Sequence, residues 1–178
     1  MKSTRKATFT DVFQYGSNTF SRRLNCPERL SGAARSPRLA QTVRDYDLAF
    51  TTWSKGNNCA AADLVRGRGR QIFGVLYCIP RDRVRKMRTT SGKTLREIEG
   101  PNYYEAQITV RTRNGRRVRA RTFLVRPSHR QEGIETSACY VDHILTGLRQ
   151  HGAPAEYIRY VKERAISNNP DLKAILDP

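Results

Sequence analysis

The stretch from Tyr104 to Val125 constrains the fold more than any other part of this chain. Two segments, Tyr104 to Arg113 and Arg116 to Val125, flank Asn114-Gly115, a pair that suits a type I′ hairpin turn. Side chains alternate across a strand. Ile108, Val110, Val118, Ala120 and Leu124 therefore fall on one face, and Arg111, Arg113, Arg117, Arg119 and Arg121 on the other. One side of the hairpin is apolar and belongs against a core; the other is an arginine face.

The flanking sequence supplies the rest of a sheet and its cover. Thr8 to Tyr15 has strand composition and ends at Gly16-Ser17-Asn18, a turn that also caps a helix. Thr19 to Leu30 has room for a short helix broken near Pro27. Leu39 to Val43 and Tyr46 to Trp53 are read as strands, with loops at Gly56-Asn57-Asn58 and Gly67-Arg68-Gly69. Gln71 to Ile79 is an apolar run of strand length and is read as a central strand. Pro80 opens a helix over Arg81 to Met87, and Thr94 to Glu99 makes a helical turn stopped by Gly100 and Pro101. Tyr140, Ile144 and Leu148 form one helical stripe with Val141 and Leu145 beside it. Gly152 ends that helix and Pro154 starts another with Ile158, Val161 and Ala165 on its apolar face. Strands first, a hairpin in the middle and helices last predict an α+β domain on one curved sheet.

At 178 residues the chain suits one domain, 1–178, with a basic N-terminal tail over 1–6 and a C-terminal tail over 168–178. No apolar run approaches a membrane span and no apolar segment follows the basic start, so a cytoplasmic, membrane-free protein is expected. Cys26, Cys59, Cys78 and Cys139 match no zinc-site spacing, and reduced, mostly buried thiols are expected. No metal and no cofactor is expected. The formal charge is +17, unevenly spread: residues 131–178 hold seven acids against five Lys/Arg, which leaves +19 on the first 130. Such a field attracts anions of any kind.

Two segments carry candidate chemistry. In Val12-Phe13-Gln14-Tyr15-Gly16-Ser17-Asn18, a glycine lets backbone approach a ligand and the following N–H groups make an anion nest. In Leu95-Arg96-Glu97-Ile98-Glu99-Gly100, Glu99 lies between Ile98 and the pair Tyr103-Tyr104, where apolar surroundings would raise its pKa toward acid–base work near neutral pH. Glu97 is the rival carboxylate.

In order, Tyr15-Gly16-Ser17-Asn18, Phe73-Gly74-Val75-Leu76-Tyr77, Leu95 to Gly100 and Tyr104 resemble the gamma-glutamylcyclotransferase-like family. The segment from Tyr140 through Gly152, Pro154 and Tyr157 resembles its closing helix–turn–helix. The likeness spans roughly residues 9–167. It implies a small, partly closed β-barrel of mixed strands with flanking helices. It also implies release of 5-oxoproline from a γ-glutamyl amide, with Glu99 as general acid/base. Tyr15, Gly16, Ser17 and Asn18 would hold the α-carboxylate and α-amino end, and Tyr104 would line the pocket. The chain departs from the family in a long stretch between Pro80 and Leu95 and a short one between Glu99 and Tyr104, both expected to border the pocket. The implied partner is a small γ-glutamyl substrate. The arginine face (Arg111, Arg113, Arg117, Arg119, Arg121), with the Gly67-Arg68-Gly69-Arg70 loop, leaves room for an acidic carrier protein or a nucleic acid. A non-catalytic binding protein on the same fold is the alternative.

Overall fold

The computed structural model describes residues 8–67, 69–88 and 90–177; the basic stretch 1–6 and Arg68 lie outside them. The strands are β1 (Phe9–Gln14), β2 (Arg35–Thr42), β3 (Tyr46–Ser54), β4 (Cys59–Arg66), β5 (Phe73–Pro80), β6 (Tyr103–Thr112) and β7 (Arg117–Val125). The helices are α1 (Ser21–Leu24), α2 (Arg81–Val84), α3 (Leu95–Glu99), α4 (Ala138–Gln150), α5 (Ala155–Asn168) and α6 (Lys173–Leu176). Five strands close a barrel in the order β1-β5-β2-β6-β7, and β3 with β4 forms a separate two-stranded sheet. Neighbours in the barrel are antiparallel except at the β1–β7 seam, which is parallel and joined at Val12↔Arg121. Side chains close the seam further: Thr122 Oγ1 donates to the Phe13 carbonyl at 2.9 Å and Tyr15 Oη to the Phe123 carbonyl at 2.6 Å.

The barrel wall is apolar on both sides, as alternation in doubly covered strands requires. Phe13, Leu76, Ile108 and Val110 pack with α4, α5 and the β3–β4 sheet, while Val12, Val75, Tyr77 and Phe123 pack with Leu24, Leu30 and Leu95.

Several expectations need correction. The β6–β7 turn is not type I′. Only Gly115 has positive φ (83°), and Thr112 N–H donates to the Arg116 carbonyl at 2.9 Å, so the turn is a longer loop with glycine in the left-handed position. Within the expected C-terminal tail, Asn168 is the last residue of α5, Pro170–Leu172 forms a 3-10 turn, α6 follows, and Leu172 and Leu176 are buried in the core. The cysteines are free, but only Cys59 is buried; Cys26 and Cys78 are half-buried and Cys139 is exposed.

β4, which sequence reasoning does not single out as a strand, is held by Asp63. This residue has no exposed surface, and its carboxylate accepts from Val125 N–H (3.2 Å), Thr51 Oγ1 (3.0 Å) and Arg130 Nε (2.7 Å). At the opposite side of the site, α4 presses on the turn after β1 through Gly147. A Cβ there would collide with the backbone of Thr19 and Phe20. Gly147→Ala should therefore lower stability by about 1–3 kcal/mol through overpacking, read as a drop in Tm. An unchanged Tm would show that helix and turn do not press on each other.

Candidate active site

Glu99 is the last residue of α3, and two local devices aim it. Thr94 caps the helix: its Oγ1 accepts from Glu97 N–H at 3.3 Å, while Thr94 N–H donates to Glu97 Oε2 at 2.8 Å. Glu97 is thereby committed to the cap, faces solvent with Lys86 at 3.8 Å, and has its pKa lowered by the Thr94 hydrogen bonds. The helix then stops at Gly100, whose φ of 81° and ψ of −176° suit glycine alone. The chain reverses there and leaves the Glu99 carboxyl pointing inward.

Glu99 meets the turn after β1. Ser17–Thr19 forms a 3-10 turn closed by Thr19 N–H to the Gly16 carbonyl at 3.0 Å. The single proton of Tyr77 Oη is shared between the carbonyls of Asn18 and Thr19, both at 3.0 Å, which holds the turn from behind. The amides of Ser17 and Asn18 open the turn and have no partner within it. Asn18 Nδ2 donates to Glu99 Oε1 at 2.8 Å, and Asn18 Oδ1 accepts from Arg29 at 2.6 Å. The order Arg29–Asn18–Glu99 fixes which end of the Asn18 amide faces the carboxylate. Burial raises the Glu99 pKa above the ordinary carboxylate range, and Arg29, Asn18, Gln14 and Arg96 pull it only part of the way back.

Around this carboxyl lies a chamber of about 30 Å³ bounded by Gln14, Gly16, Ser17, Asn18, Tyr103 and Tyr140. Ser17, Asn18, Glu99, Tyr103 and Tyr140 also line an adjoining cleft of about 630 Å³. Gln14 Nε2 is buried close enough to the Glu99 carboxyl to help lower its pKa, yet it makes no hydrogen bond of normal geometry. Tyr103 Oη donates to the Ala62 carbonyl at 2.7 Å, and Tyr140 Oη accepts from Ala62 N–H at 3.0 Å. The two phenols thus satisfy both backbone polar groups of Ala62 in β4. Burial pushes the Tyr140 pKa up to about 12. A Cβ on Gly16 would stand 3.1 Å from Tyr140 Oη and 3.3 Å from Ala62, so a larger residue there displaces Tyr140 as well as crowding the chamber.

The structure brings Gly16, Ser17, Asn18 and Glu99 together. Tyr15 borders the chamber, but its hydroxyl is spent on the β1–β7 seam. Tyr104 does not line the cavity: it is 37% exposed, whereas Tyr103 is 8% exposed and lines the chamber. A single step along a strand reverses the face, and the cleft lies on the odd-numbered side at this end of β6. The long stretch after Pro80 does not border the cleft; Gly100, Pro101 and Asn102 do. Sequence reasoning misses Gln14, Arg23, Arg29 and Tyr140. Tyr140 carries a usable signal: it sits one turn into α4, on the stripe that faces the barrel.

The cleft is cationic. Arg23, Arg29 and Lys55 line it, and Glu99 is its one acid. Arg23 donates to Asn57 Oδ1 at 2.6 Å, which ties α1 to the β3–β4 turn, and the Nε atoms of Arg23 and Arg29 are buried without partners. Among the described residues no group of three or more His, Cys, Asp and Glu is placed to hold a metal ion, and no helix is long and apolar enough to cross a membrane.

Comparison with solved structures places this barrel and its helices in the gamma-glutamyl cyclotransferase fold. A structure described as gamma-glutamyl cyclotransferase superposes with a TM-score of 0.70 at 21% identity, over 87% of each chain. An uncharacterized protein from Homo sapiens gives 0.73 at 22% identity over 96% of this chain and 99% of its own. YkqA from Bacillus subtilis gives 0.69 at 22% identity, over 90% of this chain and 55% of its own. Residues 71–161 match the AIG2-like family, and the chain belongs to that family. The matched stretch contains Glu99, Tyr103 and Tyr140 and begins after the Tyr15–Asn18 turn. No protein of curated function matches the chain in sequence.

The raised Glu99 pKa has a consequence for stability. The folded state holds this proton more tightly than the unfolded chain does, so the favourable contribution is present below the ordinary carboxylate pKa and is lost as pH rises through the raised value. Glu99→Gln should be more stable than wild type at neutral pH, with the gap closing below about pH 4.3. Parallel Tm curves across that range would contradict the environment described for this carboxyl.

Proposed function

We propose that this protein is a gamma-glutamylcyclotransferase-type enzyme that converts a γ-glutamyl amide into 5-oxoproline and a free amine. The observation that carries the reading is the buried, pKa-raised Glu99 carboxyl, held by Asn18 in a chamber that the Gly16–Asn18 turn completes. In the reaction the substrate's α-amine attacks its own γ-carbonyl carbon. The ring C–N bond forms, the original amide C–N bond breaks, and water is not consumed. Glu99 takes a proton from the attacking nitrogen and returns it to the departing one. A carboxyl with a raised pKa is suited to both halves of that transfer, which is typically worth about 10²–10⁴ in rate. The free amides of Ser17 and Asn18 and the unpartnered Gln14 Nε2 supply donors for the α-carboxylate or for the developing oxyanion.

Glu99→Gln should lower 5-oxoproline formation by about 10²–10⁴-fold, measured chromatographically with γ-glutamyl dipeptides, while Glu97→Gln stays near wild type. The reverse pattern would move the chemistry to Glu97, and absence of product from every γ-glutamyl compound would favour a binding protein on the same fold.

The cleft outside the chamber receives the departing group. Arg23 and Lys55 suit a departing group that carries a carboxylate. Replacing Arg23 with Gln should cost about 10–100-fold in kcat/KM for γ-glutamyl-alanine, the worth of one charge-assisted hydrogen bond. The same change should leave γ-glutamyl-alaninamide nearly unaffected. Equal losses on both substrates would place Arg23 in a structural role.

A further inference from the structure

We propose that the tip of the β6–β7 hairpin, with the groove at its base, is a binding surface for the phosphate backbone of a nucleic acid. Between residues 106 and 131 the chain has eight arginines and no lysine, aspartate or glutamate. Arg111 and Arg117 are directly opposed in the ladder, Arg119 faces Thr109, and Arg113 and Arg116 stand in the turn. Like charges opposed across strands destabilise a hairpin, yet none of these five arginines takes part in an ion pair among the described residues. Arg121 is different: half-buried, it pairs with Glu105, which also accepts from Arg85 at 2.6 Å. Arg121 thus belongs to the fold; of the arginines that remain, Arg111, Arg117 and Arg119 share one face of the hairpin, and Arg113 and Arg116 stand at its tip.

Beside the tip lies a groove of about 780 Å³ between β2, the turn and the end of α4. Arg38, Arg113 and Arg116 line it with Asn114, Gln150 and His151, and no acid does. Arg38 alone is neutralised, by Asp11 at 2.8 Å.

Three features select a nucleic acid over an acidic protein. The cations are all arginine, whose planar fork matches a phosphate bidentately, whereas lysine would serve a merely hydrated surface equally well. Protein interfaces depend on buried apolar anchors, and none of the exposed large apolar residues (Phe9, Trp53, Met87, Tyr104, Ile175) lies at this tip. The separation from the chemistry points the same way. The cleft is at the Tyr103 end of β6 and the arginines are at the Thr112 end, about 30 Å along the strand at 3.4 Å per residue. They are badly placed to deliver a carrier-borne group to Glu99. Arg70 is not part of this surface, since it stacks on Tyr160 at 4.0 Å.

The test is fluorescence anisotropy with a short labelled DNA duplex and a single-stranded RNA of the same length, repeated over a range of salt. The wild type should bind one or both, with affinity falling linearly in log[salt]. The triple variant Arg113→Gln, Arg116→Gln, Arg117→Gln should bind at least tenfold more weakly, with the slope on duplex reduced by about 2.7, which is 0.9 for each phosphate no longer neutralised. Turnover of a γ-glutamyl dipeptide and the Tm should not fall in that variant. Three results would overturn the proposal: no binding at low salt, a slope unchanged in the triple variant, or displacement of the nucleic acid by poly-glutamate at matched charge. The last would assign the surface to acidic protein.

Discussion

A carboxylate without exposed surface is tolerated only when donors surround it, and Asp63 shows how much structure such a demand can organise. Its three donors come from β3, β7 and the segment before α4. Satisfying them clamps a sheet that is not part of the barrel onto the barrel's outside. Removing one partner of a buried pair commonly costs about 3–5 kcal/mol. Here the loss would also free the strand that carries Ala62, the residue whose backbone bonds to Tyr103 and Tyr140. The walls of the candidate site are therefore consequences of one buried charge that lies outside the site.

The site itself is built by exhausting hydrogen-bonding capacity everywhere except where a ligand would sit. Tyr77 occupies the carbonyls of the Asn18 turn, Tyr15 is committed to the seam, and Glu97 to its cap. What is left at the chamber is the side-chain amide of Gln14 and a carboxyl that burial keeps from ionising easily. Polar groups in low dielectric are costly when unmatched, and here the unmatched ones converge on one small volume.

Much of this is legible in the sequence, for identifiable reasons. The Gly16–Asn18 turn and the Glu99–Gly100 step declare themselves because each combines a glycine with polar groups at the end of an element. The barrel strands are visible in their apolar or alternating runs. β4 is not, because Cys59-Ala60-Ala61-Ala62-Asp63 has no β-branched residue, and its strand state comes from pairing with β3 rather than from propensity. The family resemblance implies Tyr104, whereas Tyr103 lines the chamber: burial on β6 switches from the odd face at Tyr103 to the even face from Ile108 onward, so one parity cannot describe the whole strand. Arg121 reads as one of the free arginines because its partner, Glu105, lies across the ladder.

The turn between β3 and β4 stands apart from the chemistry it encloses. Trp53 to Asn57 form the outer wall of the cleft and are secured by few polar tethers, from Asn102 to Thr52 and Trp53 and from Arg23 to Asn57. The Glu99 carboxyl and its chamber come from the barrel side. Such a division makes the outer wall exchangeable: insertions or grafts in this turn would reshape what the cleft admits without rebuilding the barrel. Loops of this kind are where sequence change is best tolerated. A lineage or a protein engineer could therefore diversify what one barrel accepts by editing a handful of residues in a single turn.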